Sequence, residues 1–338
     1  MASHQRFYHV LAKVVVLWIA CGSAAAATAQ DTVYLLPYFR SNGETGVFLA
    51  ASDDGLAFRD LNEGKAVFAP PKWPNGDLTR DPAIAIGPDG TYHMVWTTHW
   101  WVKNIGYASS KDLKTWSEPR QIEVWPADAK VSNSWAPEIM YDEANKRFQI
   151  VWASTNSDAI PGEGTSENGG PRGQERRMEH RLYAKTTTDF KEFSETKLFY
   201  DGGFSVIDGM IAHDKANDRY VMVLKDETRY PTAKKNMHMV FSKSATGPFG
   251  DIVGPIAGPG APQRSEWVEG PTLIKLGNLW HLYFDSYTRP QHLSVMTSPD
   301  LKEWTDKTAD ATFPAGGRHG TVFAAPRANV AWLQNESK

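Results

Sequence analysis

Five short apolar stretches of this chain begin with side chains that can do acid–base chemistry. They are Arg80-Asp81-Pro82-Ala83-Ile84-Ala85-Ile86, Trp135-Ala136-Pro137-Glu138-Ile139-Met140, Val206-Ile207-Asp208-Gly209-Met210-Ile211, Glu269-Gly270-Pro271-Thr272-Leu273-Ile274 and Arg318-His319-Gly320-Thr321-Val322-Phe323. One acid in such a place is equally well a solvated charge or a turn cap. Several carboxylates held around one opening are different. Like charges raise the pKa of at least one member, and such a cluster needs a purpose or a cation. A metal cage is one answer, but the chain carries no local ligand motif such as an EF-hand loop or H-E-x-x-H.

What could gather five distant stretches is a repeat. A turn signature recurs: Ser52-Asp53-Asp54-Gly55, Ser110-Lys111-Asp112-Leu113, Thr187-Thr188-Asp189-Phe190, Ser242-Lys243-Ser244-Ala245 and Ser298-Pro299-Asp300-Leu301. Ser or Asp at the turn start can bond its own backbone two residues on. Each copy runs on to an aromatic expected to pack beneath it: Phe58, Trp116, Phe193, Phe249 and Trp304. Upstream lies a tight turn and an apolar-aromatic strand, as in Asp89-Gly90-Thr91-Tyr92-His93-Met94-Val95-Trp96 and Gly277-Asn278-Leu279-Trp280-His281-Leu282-Tyr283-Phe284. Adding the acid-headed stretches, each unit reads as four strands, the pattern of a propeller blade. No stretch reads as a long amphipathic helix. The sequence thus predicts an all-β fold, a single five-bladed β-propeller over residues 30–338. Its fifth blade takes its first strand from Gly320–Phe323 and the rest from the N-terminal end. Pairing both ends in one blade closes the ring and removes exposed edges.

In such a ring the first strand of every blade lines the central channel, so the five heads converge on one mouth. The loops around it carry Tyr38, His99, Trp100, Trp101, segment 154–180, loop 226–236 and loop 285–291. Loops on a rigid scaffold are where binding residues concentrate.

Composition narrows the field. The 338 residues hold 36 Lys+Arg against 39 Asp+Glu, a net charge of −3, so no basic field for nucleic acid or anionic membrane exists. A single cysteine excludes a disulfide framework and a CxxC-type zinc site. Aromatic residues make up 12% of the chain, including 13 Trp. Such rings suit β-structure and platforms for flat ligand faces. Residues 1–29 carry Arg6 and Lys13, a short apolar run from Val14 to Ala20, and small residues ending in Ala27-Thr28-Ala29. They read as an export signal cleaved before Gln30, placing the protein in the periplasm or outside the cell. Lipidation at Cys21 is the second choice. The apolar run is too short for a membrane span.

The strand heads resemble glycoside hydrolase family 43, five-bladed enzymes that cut arabinofuranosides, xylosides and related glycans. Arg80-Asp81-Pro82, Val206-Ile207-Asp208 and Glu269-Gly270-Pro271 carry the likeness, with Trp135-Ala136-Pro137-Glu138 and Arg318-His319-Gly320-Thr321-Val322 beside them. It spans the chain from Gln30 onward. The resemblance implies Asp81 as general base, Glu269 as general acid, and Asp208 as the residue that orients the acid and tunes its pKa. Gly209 follows Asp208 where many relatives have proline. His319 would stand in the channel near a water-bound cation, Ca2+ or Na+, with no cofactor required. Arg289 matches an arginine that relatives place near the sugar. Trp100, Trp101 and Trp135 could stack on a sugar or serve the core, and His99 and Tyr38 complete the candidate set. Glu138 would be a structural partner. Glu266, three residues before Glu269, would point to the opposite side of an extended strand. Segment 154–180 is either a surface insertion or a flap that narrows the mouth. The partner implied is a carbohydrate. The first reading is an exported inverting α-L-arabinofuranosidase. The others are a β-xylosidase, a galactofuranosidase, a galactan-cleaving enzyme or a non-catalytic carbohydrate-binding propeller.

Overall fold

The computed structural model describes residues 32–155, 180–229 and 232–334. The expected export signal, most of segment 154–180 and the last four residues lie outside them. The described chain is five antiparallel sheets in a ring. The first complete blade is β4 (Arg80–Ile86), β5 (Tyr92–Thr97), β6 (Asn104–Ser110) and β7 (Arg120–Glu123). The second is β8 (Trp135–Asp142), β9 (Arg147–Ser154), β10 (Arg181–Thr187) and β11 (Lys197–Tyr200). The third is β12 (Val206–Asp214), β13 (Arg219–Asp226), β14 (Asn236–Ser242) and β15 (Val253–Ala257). The fourth is β16 (Val268–Leu276), β17 (Leu279–Ser286), β18 (His292–Ser298) and β19 (Thr305–Asp306). In each, the strands pair in chain order.

The fifth blade joins the two ends of the chain. Strands β1 (Thr32–Arg40), β2 (Phe48–Ser52) and β3 (Arg59–Asp60) receive β20 (Gly317–Arg318) and β21 (Phe323–Pro326), both antiparallel to β1. The closing strand is therefore broken in two, where the sequence suggests one run over Gly320–Phe323. Gly320 lies in the break. A side chain at Gly320 would put its Cβ 1.7 Å from the carbonyl oxygen of Pro37, so the backbones touch there. The segment between β20 and β21 also ties the ring. Thr321 N–H donates to Pro82 O at 3.3 Å and Val322 N–H to Thr272 Oγ1 at 3.0 Å, reaching the blades on either side.

The repeated turn forms as its residues dictate. Ser110 Oγ accepts from Leu113 N at 2.8 Å, and Asp112 Oδ1 from Lys114 N and Thr115 N at 2.8 and 2.7 Å. Thr187 with Asp189, and Ser298 with Asp300, repeat this pattern. The side chain seated deepest under the turn is not the terminal aromatic but the left-handed residue: Leu113, Phe190 and Leu301 are each at most 2% exposed.

Five apolar clusters fill the five joints between neighbouring blades. Trp96 packs in the joint between the fifth and first blades, and Trp152 in that between the first and second. Each blade is thus apolar on both faces, as its near-continuous hydrophobic strands require. The rigid ring leaves its axis to polar side chains.

Candidate active site

The inner strands share one irregularity at their heads. In β4 the register against β5 jumps from Arg80↔Thr97 to Ala83↔Val95. In β8 it jumps from Trp135↔Ala153 to Glu138↔Val151, in β12 from Ile207↔Lys225 to Met210↔Val223, and in β16 from Glu269↔Asp285 to Thr272↔Tyr283. Each jump sets three steps on the inner strand against two on its partner, a β-bulge. The residue after each first pair has positive φ: Asp81 at 51°, Ala136 at 44°, Asp208 at 53° and Gly270 at 63°. Only glycine takes that conformation without strain, and Asp tolerates it better than most. The bulge turns consecutive side chains towards the axis, against the strict alternation of a strand.

The result is a pit of about 540 Å³ at the mouth of the channel, lined by Asp81, Asp208 and Glu269 together. Three carboxylates from three blades, 188 positions apart in sequence at the extremes, meet in one cavity. Asp81 Oδ2 accepts from Thr97 Oγ1 at 2.8 Å, and its Oδ1 lies 3.4 Å from His319 Nδ1. Burial pushes its pKa up, but Arg80 and His319 outweigh burial and hold it well below the usual carboxylate range. Asp208 Oδ2 accepts from Gly270 N at 2.9 Å, which joins it to the backbone beside Glu269. Burial raises Asp208 to about 6, with repulsion from Glu269 adding to it and His319 and Lys225 opposing. Glu269 is gripped from two sides: Lys225 Nζ is 3.1 Å from Oε2 and Arg318 Nη2 is 2.8 Å from Oε1. Arg318 Nε also donates to the buried Asp285 at 3.0 Å.

Glu138 sits deeper, accepting from Thr321 Oγ1 at 3.1 and 3.0 Å. Burial raises its pKa. It does not line the pit, in keeping with a structural duty. His319 lies between the acids, with Nε2 3.9 Å from Glu138. Burial lowers its pKa, but the bonds to Asp81 and Glu138 prevail and keep it well above the ordinary histidine value. Among the described residues no group of three or more His, Cys, Asp and Glu side chains is placed to hold a metal directly. The water-bound cation expected beside His319 stays a proposal.

Of the other candidates, Trp100 and Trp135 line the pit, and Trp135 Nε1 donates to Trp100 O at 2.7 Å. Trp101 is exposed beside Trp135, 5.5 Å between ring centroids. Three of the expected residues stand outside the pit. Tyr38 is fully buried outside the pit, its hydroxyl bonded to Asp60 and accepting from Arg40 Nη2 at 2.8 Å. His99 is not in the pit; its Nδ1 accepts from Trp101 N at 3.2 Å and so shapes the loop. Arg289 is exposed on its loop and absent from the pit, where Arg318 and Arg80 stand instead. Glu266 pairs with Arg264 and is not in the pit either.

Loops 226–236 and 285–291 bring Glu227, Lys235 and Tyr287 to the lining, and Lys225 and Trp267, outside those loops, join them. Lys225 is 1% exposed, 2.8 Å from Glu227 Oε2, with its Nζ 4.5 Å from the Tyr287 ring centre. A lysine ending an apolar strand, as in Val223-Leu224-Lys225, was a usable sign, because a buried ammonium needs carboxylate partners.

A five-bladed propeller with acids from several blades in one axial pit is the architecture of the family-43 type of glycoside hydrolase. The chain belongs to the glycosyl hydrolase 43-related family: the family model, described as a probable glycosyl hydrolase domain, matches residues 30–330. No curated protein matches the sequence. Among solved structures it is similar to an α-L-arabinofuranosidase from Lactobacillus brevis, at 16% identity and a TM-score of 0.51, over 68% of this chain and 72% of that one. It is also similar to a thermostable family-43 glycoside hydrolase, at 15% identity and a TM-score of 0.50, over 69% and 73% of the two chains. A third likeness is to a xylan β-1,4-xylosidase from Bacillus halodurans, at 16% identity and a TM-score of 0.50, over 73% of this chain and 44% of that one. At these identities the likeness is one of fold.

Proposed function

We propose that this chain hydrolyses glycosidic bonds with inversion, using Asp81 as general base and Glu269 as general acid. The observation that carries the reading is the meeting of Asp81, Asp208 and Glu269 in one pit, with Asp81 held ionised by its neighbours. Inversion needs an ionised carboxylate on one face of the sugar and a protonated one at the leaving oxygen. Asp81 takes a proton from water as that water forms a bond to the anomeric carbon. Glu269 gives a proton to the glycosidic oxygen as the old carbon–oxygen bond breaks. Burial raises Asp208 to about 6, and Asp208 bonds the backbone N–H of Gly270 beside the acid, so it is placed to orient Glu269. Lys225 and Arg318 fix the orientation of the Glu269 carboxyl.

We take an α-L-arabinofuranoside as the first substrate to test, with a β-xyloside second. Solved structures of similar fold include an arabinofuranosidase and a xylosidase. The compact pit suits removal of single terminal residues. Export before Gln30 belongs to the same reading, and N-terminal sequencing of protein recovered from the periplasm or medium checks it.

The test is a panel of nitrophenyl furanosides and pyranosides, followed by proton NMR of the first sugar released. The expected product has the anomeric configuration opposite to the substrate. An initially retained anomer overturns the assigned roles. A silent panel for the folded protein shifts the reading to carbohydrate binding without turnover.

A further inference from the structure

The pit is richer in cations than the proposed hydrolysis needs. One wall carries Lys225, Lys235 and Arg229, all gathered on the single carboxylate of Glu227. Arg318 adds to them, and His319 lies beside them with its pKa raised by Asp81 and Glu138. The whole chain has a net charge of −3, so this excess is local.

Arg80 is a cation of the pit that acts on the adjacent Asp81 through space but touches no carboxylate among the described residues. It stands before its bulge where Glu269 stands before the fourth blade's, and both line the pit. Its guanidinium carbon lies 4.7 Å from the centre of the Phe39 ring and 4.2 Å from that of Trp100. Nη1 donates to Asn42 Oδ1 at 3.0 Å. Two rings and an amide thus fix its place, and the residue is 6% exposed. Among the described residues no carboxylate lies within 4.0 Å of it; Arg40, Arg59, Arg219, Arg264 and Arg318 all have one. Its other N–H groups have no acceptor among those residues either. An immobilised guanidinium with free donors in a cavity is prepared for a planar, two-oxygen anion.

We propose that the pit accepts a glycan carrying a carboxylate, as a uronic acid does, with Arg80 as the group that binds it. This deepens the glycosidase reading and rests on it for the word substrate, not for the binding. Arg80 also favours the ionised form of Asp81. A role confined to that would give no preference among sugars.

The experiment compares methyl β-D-glucuronoside with methyl β-D-glucoside by titration calorimetry. The two differ only in carboxylate against hydroxymethyl at C6. The expected result for the wild-type protein at low salt is binding of the glucuronoside roughly tenfold tighter or more, the scale of a charge-assisted hydrogen bond. The preference should shrink as NaCl rises, although burial limits the screening. In Arg80→Gln the ratio should fall to about one, with Arg80→Lys in between because it keeps the charge and loses the fork. Should Arg80→Gln fail to fold, the lysine variant and the salt series carry the test. Equal affinity for the two glycosides, or no measurable binding of either, overturns the inference. Hydrolysis of the nitrophenyl panel is scored separately. A preference with a silent panel leaves the carboxylate site standing and removes hydrolysis; an active panel with no preference does the reverse.

Discussion

Asp81 and Asp208 hold the same place in two different blades. Each follows the last pair before the register jump of its inner strand, each has φ near +50°, and each begins a bulge that turns its carboxylate into the pit. The equivalent places in the other two complete blades are Ala136 and Gly270. Glu269 stands one position earlier, level with Arg80. Base and acid are thus mounted at different heights of a common scaffold, on strained backbone kept in place by the ring around it.

Removing the proton chemistry of either acid should stop turnover. Asp81→Asn and Glu269→Gln keep the shape of each side chain and lose only its acid–base function. Each should lower kcat on the best nitrophenyl glycoside by about 10²–10⁴-fold. Circular dichroism should show the same β-sheet signal as the wild type. Full activity in either variant removes the assignment of that residue.

Thr97 links two blades through one hydroxyl. Its Oγ1 donates to Asp81 Oδ2 at 2.8 Å and accepts from Ala136 N at 2.8 Å. Thr97→Val is close in shape but leaves the buried Ala136 N–H unbonded, a loss of about 1–3 kcal/mol. Urea denaturation should show that loss, and Thr97→Ser should recover most of it. Equal midpoints for the valine variant and wild type would show the bridge to be without weight.

Asp208 makes stability depend on pH in a definite sense. Its folded pKa is raised by burial to about 6 from an ordinary 3.8. The folded form therefore keeps the proton while the unfolded chain gives it up, and stability falls as pH rises from about 4 through about 6. The whole fall across that window amounts to about 3 kcal/mol. Asp208→Asn removes this contribution, so its unfolding free energy should fall less over the same range. Parallel profiles for the two proteins would show that Asp208 titrates at an ordinary pH.

Gly320 tests the closure of the ring. With its Cβ position 1.7 Å from Pro37 O, Gly320→Ala cannot be accommodated without moving β1 or the closing segment. The expected result is a large fall in thermal midpoint together with loss of activity, since His319 is the preceding residue. An unchanged midpoint would mean that the fifth blade closes less tightly than described.

The five units, their four-strand pattern and the joining of both ends in one blade were legible because turns and apolar strands repeat in fixed order. Asp81, Asp208 and Glu269 were legible for the same reason, as heads of the same strand in different copies. The bulges were not. Alternation in strands has a period of two, and nothing in Arg80-Asp81-Pro82 announces an inserted step. That gap hid Arg80 as a lining residue and set five heads at one level when they occupy several. Tyr38 and Arg289 failed differently. Each belongs to the second strand of its blade or the loop after it, but Tyr38, within β1, turns inward beneath Arg40, and Arg289, after β17, faces solvent. Such turns depend on loop geometry, which is made by contacts between distant blades. Lys225 escaped notice because its partners, Glu227 and Glu269, come from two blades.

The stretch between β20 and β21 holds Arg318, His319 and Thr321, which reach Glu269, Asp81 and Glu138. It follows all four complete blades in chain order. A chain cut before Arg318 would keep those four sheets but leave the circle open and the pit without Arg318 and His319. Ring closure and completion of the pit are thus a single event, and a chain shortened there is not a weaker catalyst but an unassembled one.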